Sequence, residues 1–162
     1  MAAVSKASGV SAVDKSVAAK WSAPLAKAGW TSFPSVIFER QAALGLEPLD
    51  INILLHLAGY WWKPGEHAHP SKTTIAKAIG VTPRTVQKRI AAMEAAGFIQ
   101  RIYRKTGVGD NDTNEYDLRG LIKAAKPFAE EKIAERERRQ KEQAERLTRK
   151  KPLAIVKGGK AG

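Results

Sequence analysis

In AIGVTPRTVQKRI, residues 78–90, a glycine and a Thr-Pro pair stand between two stretches of helical period and leave few ways to fold the chain around them. Gly80 suits the left-handed conformation that ends a helix, Thr82 can cap the next one, and Pro83 fits a first turn, where no N–H is required. Two helices are therefore predicted to meet across Gly80, Val81 and Thr82, with Val81 filling the corner. Ser71 is the N-cap candidate of the first helix, and Ile75, Ala76 and Ile79 follow at helical spacing. The second helix is predicted to run to Ala96, with Val86, Ile90 and Met93 on one face, and to stop at Gly97. Such a joint is either a plain corner in a helical bundle or a device that holds the second helix out against a ligand.

The charge distribution favours the second reading. Lys and Arg total 28 against 16 Asp and Glu, a net charge of +12 over 162 residues. A balance this basic points to a polyanionic partner. Residues 72–105 carry Lys72, Lys77, Arg84, Lys88, Arg89, Arg101, Arg104 and Lys105 against Glu94 alone, which is +7 (8 minus 1). Residues 31–71 come to −2, with Arg40 and Lys63 facing Glu39, Glu47, Asp50 and Glu66. The excess is thus gathered around the joint.

The 43% hydrophobic content supports one core. Residues 1–20 lack a helical or alternating period and are expected to form a flexible arm, whose end Trp21, Leu25 and Trp30 can anchor. A short helix is predicted from Pro34 to a stop at Gly45, with Ile37, Phe38, Gln41 and Ala42 in near-helical spacing. Pro48 opens another, whose Leu49, Ile53, Leu54, Leu57, Tyr60 and Trp61 cover most of its circumference and mark it as central to the core. KPGEHAHP reads as a loop. After Gly97, FIQRIYR and NEYDL read as two strands around a loop rich in Gly, Asp and Asn, which makes a hairpin. GLIKAAKPFAEE continues as a helix with Pro127 as a possible kink. Residues 128–151 hold 6 acids and 9 bases, including the acid-first pairs Glu135/Arg139, Glu137/Lys141, Glu142/Arg146 and Glu145/Arg149, each contributing roughly 0.2 to 0.5 kcal/mol to a solvated helix. A coiled-coil register through Ile133 and Leu147 would place Lys126 and Gln140 at seam positions, which argues against a zipper.

Two helices joined by three residues, with a hairpin behind the second, make a winged helix-turn-helix. The predicted fold is mainly α, with a short β-hairpin wing and a long charged C-terminal helix. The expected organisation is a flexible arm over 1–20, the winged domain over 21–127, a charged helical extension over 128–151 and a flexible basic tail over 152–162. With Val86, Ile90 and Met93 inward at about 100° per residue, Arg84, Gln87, Lys88 and Ala91 point outward, and Thr85 lies at the edge. Arg and Lys can bond guanine O6 and N7, Gln can pair with adenine, and Thr can meet a base edge or thymine methyl. Lys72 and Thr73, at the start of the first helix, are placed to meet phosphate, and the cap residues Ser71 and Thr82 are expected among the DNA-binding residues. Arg101, Arg104 and Lys105 can reach the flanking backbone or minor groove. The hairpin tip carries Asp110 and Asp112 and is not expected to insert. Arg89 lies beside the core face, so its stem is expected to pack on apolar surface with the guanidinium reaching water.

HPSKTTIAKAIGVTPRTVQKRIAAMEAAGFIQR followed by TNEYDL resembles the winged helix-turn-helix domains of bacterial plasmid, phage and other mobile-element proteins, including replication-initiator-like ones. In such domains the segment that here opens Thr82-Pro83-Arg84-Thr85-Val86 is the recognition helix, so the resemblance implies that role for it. The acidic wing tip and the charged tail lie outside the pattern.

Without Cys, a disulfide scaffold and thiolate zinc sites are excluded. Glu66, His67 and His69 in a Pro/Gly loop read as a polar surface loop rather than a metal site, and His56 as a packed or hydrogen-bonded residue. No acyl-transfer, carboxylate-pair or phosphate-loop constellation is present, so neither enzymatic activity nor a cofactor is expected. The chain lacks a signal-peptide pattern and an apolar run of about 20 residues, and is expected to be cytoplasmic, away from membranes. The expected partner is double-stranded DNA, bound sequence-specifically by a transcriptional regulator of a mobile element. The alternative is a replication or partition adaptor that binds origin DNA and recruits a protein through its C-terminal helix. A homodimer is compatible with either.

Overall fold

The computed structural model describes residues 11–103 and 114–149. The expected basic tail and the hairpin tip, with Arg104, Lys105, Asp110 and Asp112, lie outside the described residues.

The core is built on α5 (Pro48–Gly59), α6 (Lys72–Ile79) and α7 (Pro83–Ala95). Pro48 takes the first turn of α5, and the Asp50 carboxylate accepts from the Glu47 N–H at 2.8 Å, satisfying a donor that the helix leaves orphaned. Ile53, Leu54 and Leu57 of α5 are fully buried against Ile75 and Ala76 of α6 and against Val86, Ile90 and Met93 of α7. The inward face expected of α7 is therefore the observed one. Gly80 sits at φ +83, where an L side chain would be strained, and its N–H and that of Val81 both donate to the Ala76 carbonyl. Val81 is half-buried against the core. At the far end of α7, the Gly97 N–H donates to Glu94 O and the Phe98 N–H to Met93 O, which closes the helix and turns the chain into the wing.

The wing pairs β1 (Gln100–Ile102) antiparallel with β2 (Glu115–Asp117), in the register Gln100 with Asp117, Arg101 with Tyr116 and Ile102 with Glu115. Ala68 bridges Tyr116 from the other side, its carbonyl accepting from the Tyr116 N–H at 2.7 Å. This bridge ties the loop before α6 to the sheet. Tyr116 and Ile99 turn into the core, while Tyr103 stands exposed.

Three expectations change. The helix expected between Pro34 and Gly45 is broken at Arg40, giving α3 (Ser35–Glu39) and α4 (Gln41–Leu44). Arg40 reaches from the break to α8, over the Phe128 ring at 5.9 Å and towards Glu131 at 3.8 Å. The arm expected over 1–20 is helical from its twelfth residue: α1 (Ala12–Trp21) is followed by α2 (Ala23–Ala28). Hydrogen bonds that need no hydrophobic period start it, because Ser11 Oγ accepts from the Asp14 N–H at 3.1 Å while Asp14 accepts from the Ser11 N–H and hydroxyl. Finally, α8 (Arg119–Thr148) is one helix, so the boundary expected at 127/128 falls inside it. Pro127 removes one intrahelical donor, but Leu121 and Ala125 before it are buried and Phe128 after it packs under Arg40, so both sides of the proline are held against the fold.

The start of α8 is pressed hard on the wing turn. A Cβ on Gly120 would lie 1.9 Å from the Gly97 carbonyl oxygen, and the next residue, Leu121, donates its N–H to Phe98 O at 2.9 Å. Only glycine fits there.

Candidate nucleic-acid interface

Both helices of the motif begin with the same device. Ser71 Oγ accepts from the Thr74 N–H at 3.0 Å and lies 2.7 Å from the Thr74 hydroxyl. Thr82 Oγ1 accepts from the Thr85 N–H at 3.1 Å and lies 2.9 Å from the Thr85 hydroxyl. These caps fix where each helix starts and leave its positive end towards solvent. The hydroxyls of Ser71, Thr82 and Thr85 are thus engaged within the fold. Thr73 is exposed, and Lys72 is half-buried at the first position of α6.

On α7, Arg84, Gln87, Lys88 and Ala91 are all exposed and Thr85 is half-buried, so this polar side is not covered by the described residues. Neither Arg84 nor Lys88 forms an ion pair with a described residue. Lys72 and Lys77 on α6 are likewise without one among the described residues. The four cations share the two helices of the motif.

Arg89 and Arg101, by contrast, are committed to the fold. Arg89 does more than reach water as its sequence position suggested: its guanidinium is held by two acids. Its Nε donates to Asp50 Oδ1 at 2.7 Å, one terminal nitrogen to Asp50 Oδ2 at 2.6 Å and the other to Glu47 Oε1 at 3.0 Å. Asp50 is 1% exposed, and this fork-to-carboxylate bond holds the Arg89 guanidinium above its usual range. The first turn of α5 is thereby pinned to the middle of α7. Burying Asp50 requires such a partner, because a carboxylate withdrawn from water is costly unless paired.

Arg101, expected to reach a DNA backbone, is instead bonded to Glu94 through its backbone N–H at 3.2 Å and its Nε at 2.6 Å. The bond holds Glu94 below and Arg101 above their ordinary values. Its physical result is to fasten β1 to the last turn of α7, with most of the guanidinium covered. Asp117 is similarly held below the carboxylate range by Arg119, whose Nε donates at 2.7 Å, with backbone N–H and charge contributions alongside. His67 Nδ1 lies 3.1 Å from Glu115 Oε2 and its Nε2 3.9 Å from Asp117, so the histidine of the expected surface loop also braces the wing. His69 Nδ1 lies 3.2 Å from the His67 carbonyl.

Sequence reasoning placed the outward face of α7 but missed the Asp50–Arg89 and Glu94–Arg101 pins. A signal for the first existed: Asp50, two residues after Pro48, is a capping acid on a helix read as almost wholly apolar.

Residues 44–99, which span α5, α6 and α7, match the family model of a helix-turn-helix domain. With the antiparallel hairpin and the long helix behind it, the fold is a winged helix-turn-helix, and the matched segment is similar to helix-turn-helix domains. No curated protein matches the chain. Among the described residues, no helix is long and apolar enough to cross a membrane.

Proposed function

We propose that this chain binds duplex DNA sequence-specifically, as a transcriptional regulator of a mobile element, with α7 lying along the major groove. One observation carries the reading: the outer side of α7, with Arg84, Gln87 and Lys88, is left open by the fold while the neighbouring Arg89 and Arg101 are neutralised internally. Arg84 and Lys88 then recognise guanine and Gln87 adenine, and Ala91 permits close approach. Lys72 and Thr73 at the positive end of α6 hold phosphate and set the register. The regulatory role and the mobile-element context rest on the resemblance to plasmid and phage domains.

The test is selection of bound duplexes from a random DNA pool. A reproducible site of a few base pairs is expected, and a dyad repeat of it would report a dimer. A pool that emerges without sequence preference would overturn the reading.

The far half of α8 favours a second reading, that of an origin-binding adaptor. A 30-residue helix is about 45 Å long. Its contacts with the fold end near Glu135, where Lys132 pairs with Glu39 and Glu131 with Arg40. Beyond that point the described side chains are all exposed and bond only within the helix. Removing residues 137–162 separates the readings. A regulator keeps repressing, whereas an adaptor keeps its DNA site and loses its activity.

A further inference from the structure

The α1–α2 hairpin buries nothing, yet it carries a large share of the exposed apolar surface. No residue of either helix is buried, and Trp21 is 60%, Leu25 58% and Trp30 43% exposed. The hairpin is nonetheless built. After α2 the chain doubles back, and Trp30 Nε1 donates to Asp14 Oδ1 at 3.1 Å, closing a groove of about 440 Å³ lined by Val17, Trp21, Leu25, Ala28 and Trp30. That volume lies within the ~300–1,000 Å³ of sites that enclose an apolar guest. Helices of 10 and 6 residues are marginal in water unless an apolar face is covered. Among the described residues no surface covers this one.

The charges on the two helices choose among occupants. Lys15, Lys20 and Lys27 lie on the two helices, with Lys20 Nζ 5.6 Å above the Trp21 ring. Asp14, the single acid between Ser11 and Thr31, is already occupied by Ser11 and Trp30, which keep its carboxyl below its ordinary range. A second copy would bring the same lysines against one another with no free carboxylate to answer them. A lipid surface would meet lysines and tryptophans alike, but the partly enclosed volume of the groove favours side chains that protrude from a folded segment. From this we infer that the hairpin is a docking site for an acidic amphipathic segment of another protein, which inserts bulky apolar side chains between Trp21, Leu25 and Trp30 and sets Asp or Glu against Lys20 and Lys27. The inference does not depend on what α7 reads.

The test uses the full chain and a display library of random peptides about 15 residues long, enough for a helix. Enriched peptides are expected to be acidic, with Leu, Phe or Trp at helical spacing. Trp21→Ala and Leu25→Ala should each weaken them by about tenfold or more, as for a central apolar anchor. The double variant Lys20→Glu, Lys27→Glu, confined to exposed positions, should weaken them too, while the midpoint of urea unfolding stays unchanged and reports an intact fold. Enriched peptides without acidic character, or peptides indifferent to these substitutions, would overturn the inference. So would loss of a dimer in Trp21→Ala, which assigns the groove to a second copy. Tryptophan-dependent binding to phosphatidylserine vesicles, or a fall in DNA affinity in Trp21→Ala or Leu25→Ala, would likewise assign it elsewhere.

Discussion

Two of the helix pairs joined by tight turns, α6–α7 and α1–α2, differ in almost everything that holds them. In α6–α7 the turn residue with positive φ is Gly80, both helices start on a Ser or Thr cap, and five side chains go into the core. In α1–α2 the turn is made by Ser22 at φ +97, the only non-glycine residue with positive φ among those described, and α2 has no side-chain cap. Nothing from that pair is buried. The contrast separates two uses of one motif. The first pair is fixed on its inner side so that its outer side can present charge at a defined angle. The second is held by local hydrogen bonds and presents apolar surface.

The difference can be broken most severely at Arg89. Arg89→Ala leaves Asp50 buried without its partner and is expected to cost about 3 to 5 kcal/mol of stability, read as a lower midpoint in urea unfolding. A loss below about 1 kcal/mol would mean that the pair is no better than a surface contact. Next in size is Arg84→Ala, expected to weaken binding to the selected DNA by about 1 to 3 kcal/mol and to relax preference at one base pair, with unfolding unchanged. Trp21→Ala should leave that affinity alone, and equal losses from both would erase the distinction between the pairs. Thr82→Ala removes the cap of α7 and should cost about 0.5 to 2 kcal/mol in unfolding.

A smaller effect is expected from acid. Glu94 is held below its ordinary value of 4.5 chiefly by its bond from Arg101. A carboxylate depressed in the folded state contributes stability that is present above its unfolded pKa and is lost as pH falls through the folded one. Glu94→Gln should therefore flatten the decline in stability at and below that range, and change it little at neutral pH beyond a constant offset. An unaltered acid limb would show that the pair does not brace the wing. Last, Ser22→Gly relieves the positive φ at the other turn. Strain of about 1 to 3 kcal/mol is partly offset by the greater freedom of glycine in the unfolded chain. Slower amide exchange across α1 and α2, by under about tenfold, is the expected readout, and faster exchange would show that the turn is unstrained.

Much of the fold was legible because it rests on local rules. Gly80, Thr82 and Pro83 announced the joint, Ser71 announced the start of α6, and the period of Val86, Ile90 and Met93 announced which side of α7 faces inward. Those features act within one or two turns of chain. The hairpin was legible as two strand-like runs, though not its faces, since these depend on Tyr116 pairing with both Ala68 and Arg101. The N-terminal helices were not legible, because they form on a capping box and a Trp30–Asp14 bond instead of on hydrophobic period.

Sequence by itself determined where helices begin and end around the joint, which face of α7 is apolar, and that positive charge collects there. Tertiary structure alone decided which of those charges are free. Arg84 and Arg89 are five residues apart on one helix, yet Arg89 meets an acid that lies 39 positions earlier in the chain and Arg84 meets none among the described residues. Gly120 shows the same limit in steric form: only the approach of the Gly97 carbonyl makes a side chain impossible there. Coulomb attraction and van der Waals repulsion depend on distance in space, and the order of residues along a chain does not specify that distance until the fold has closed.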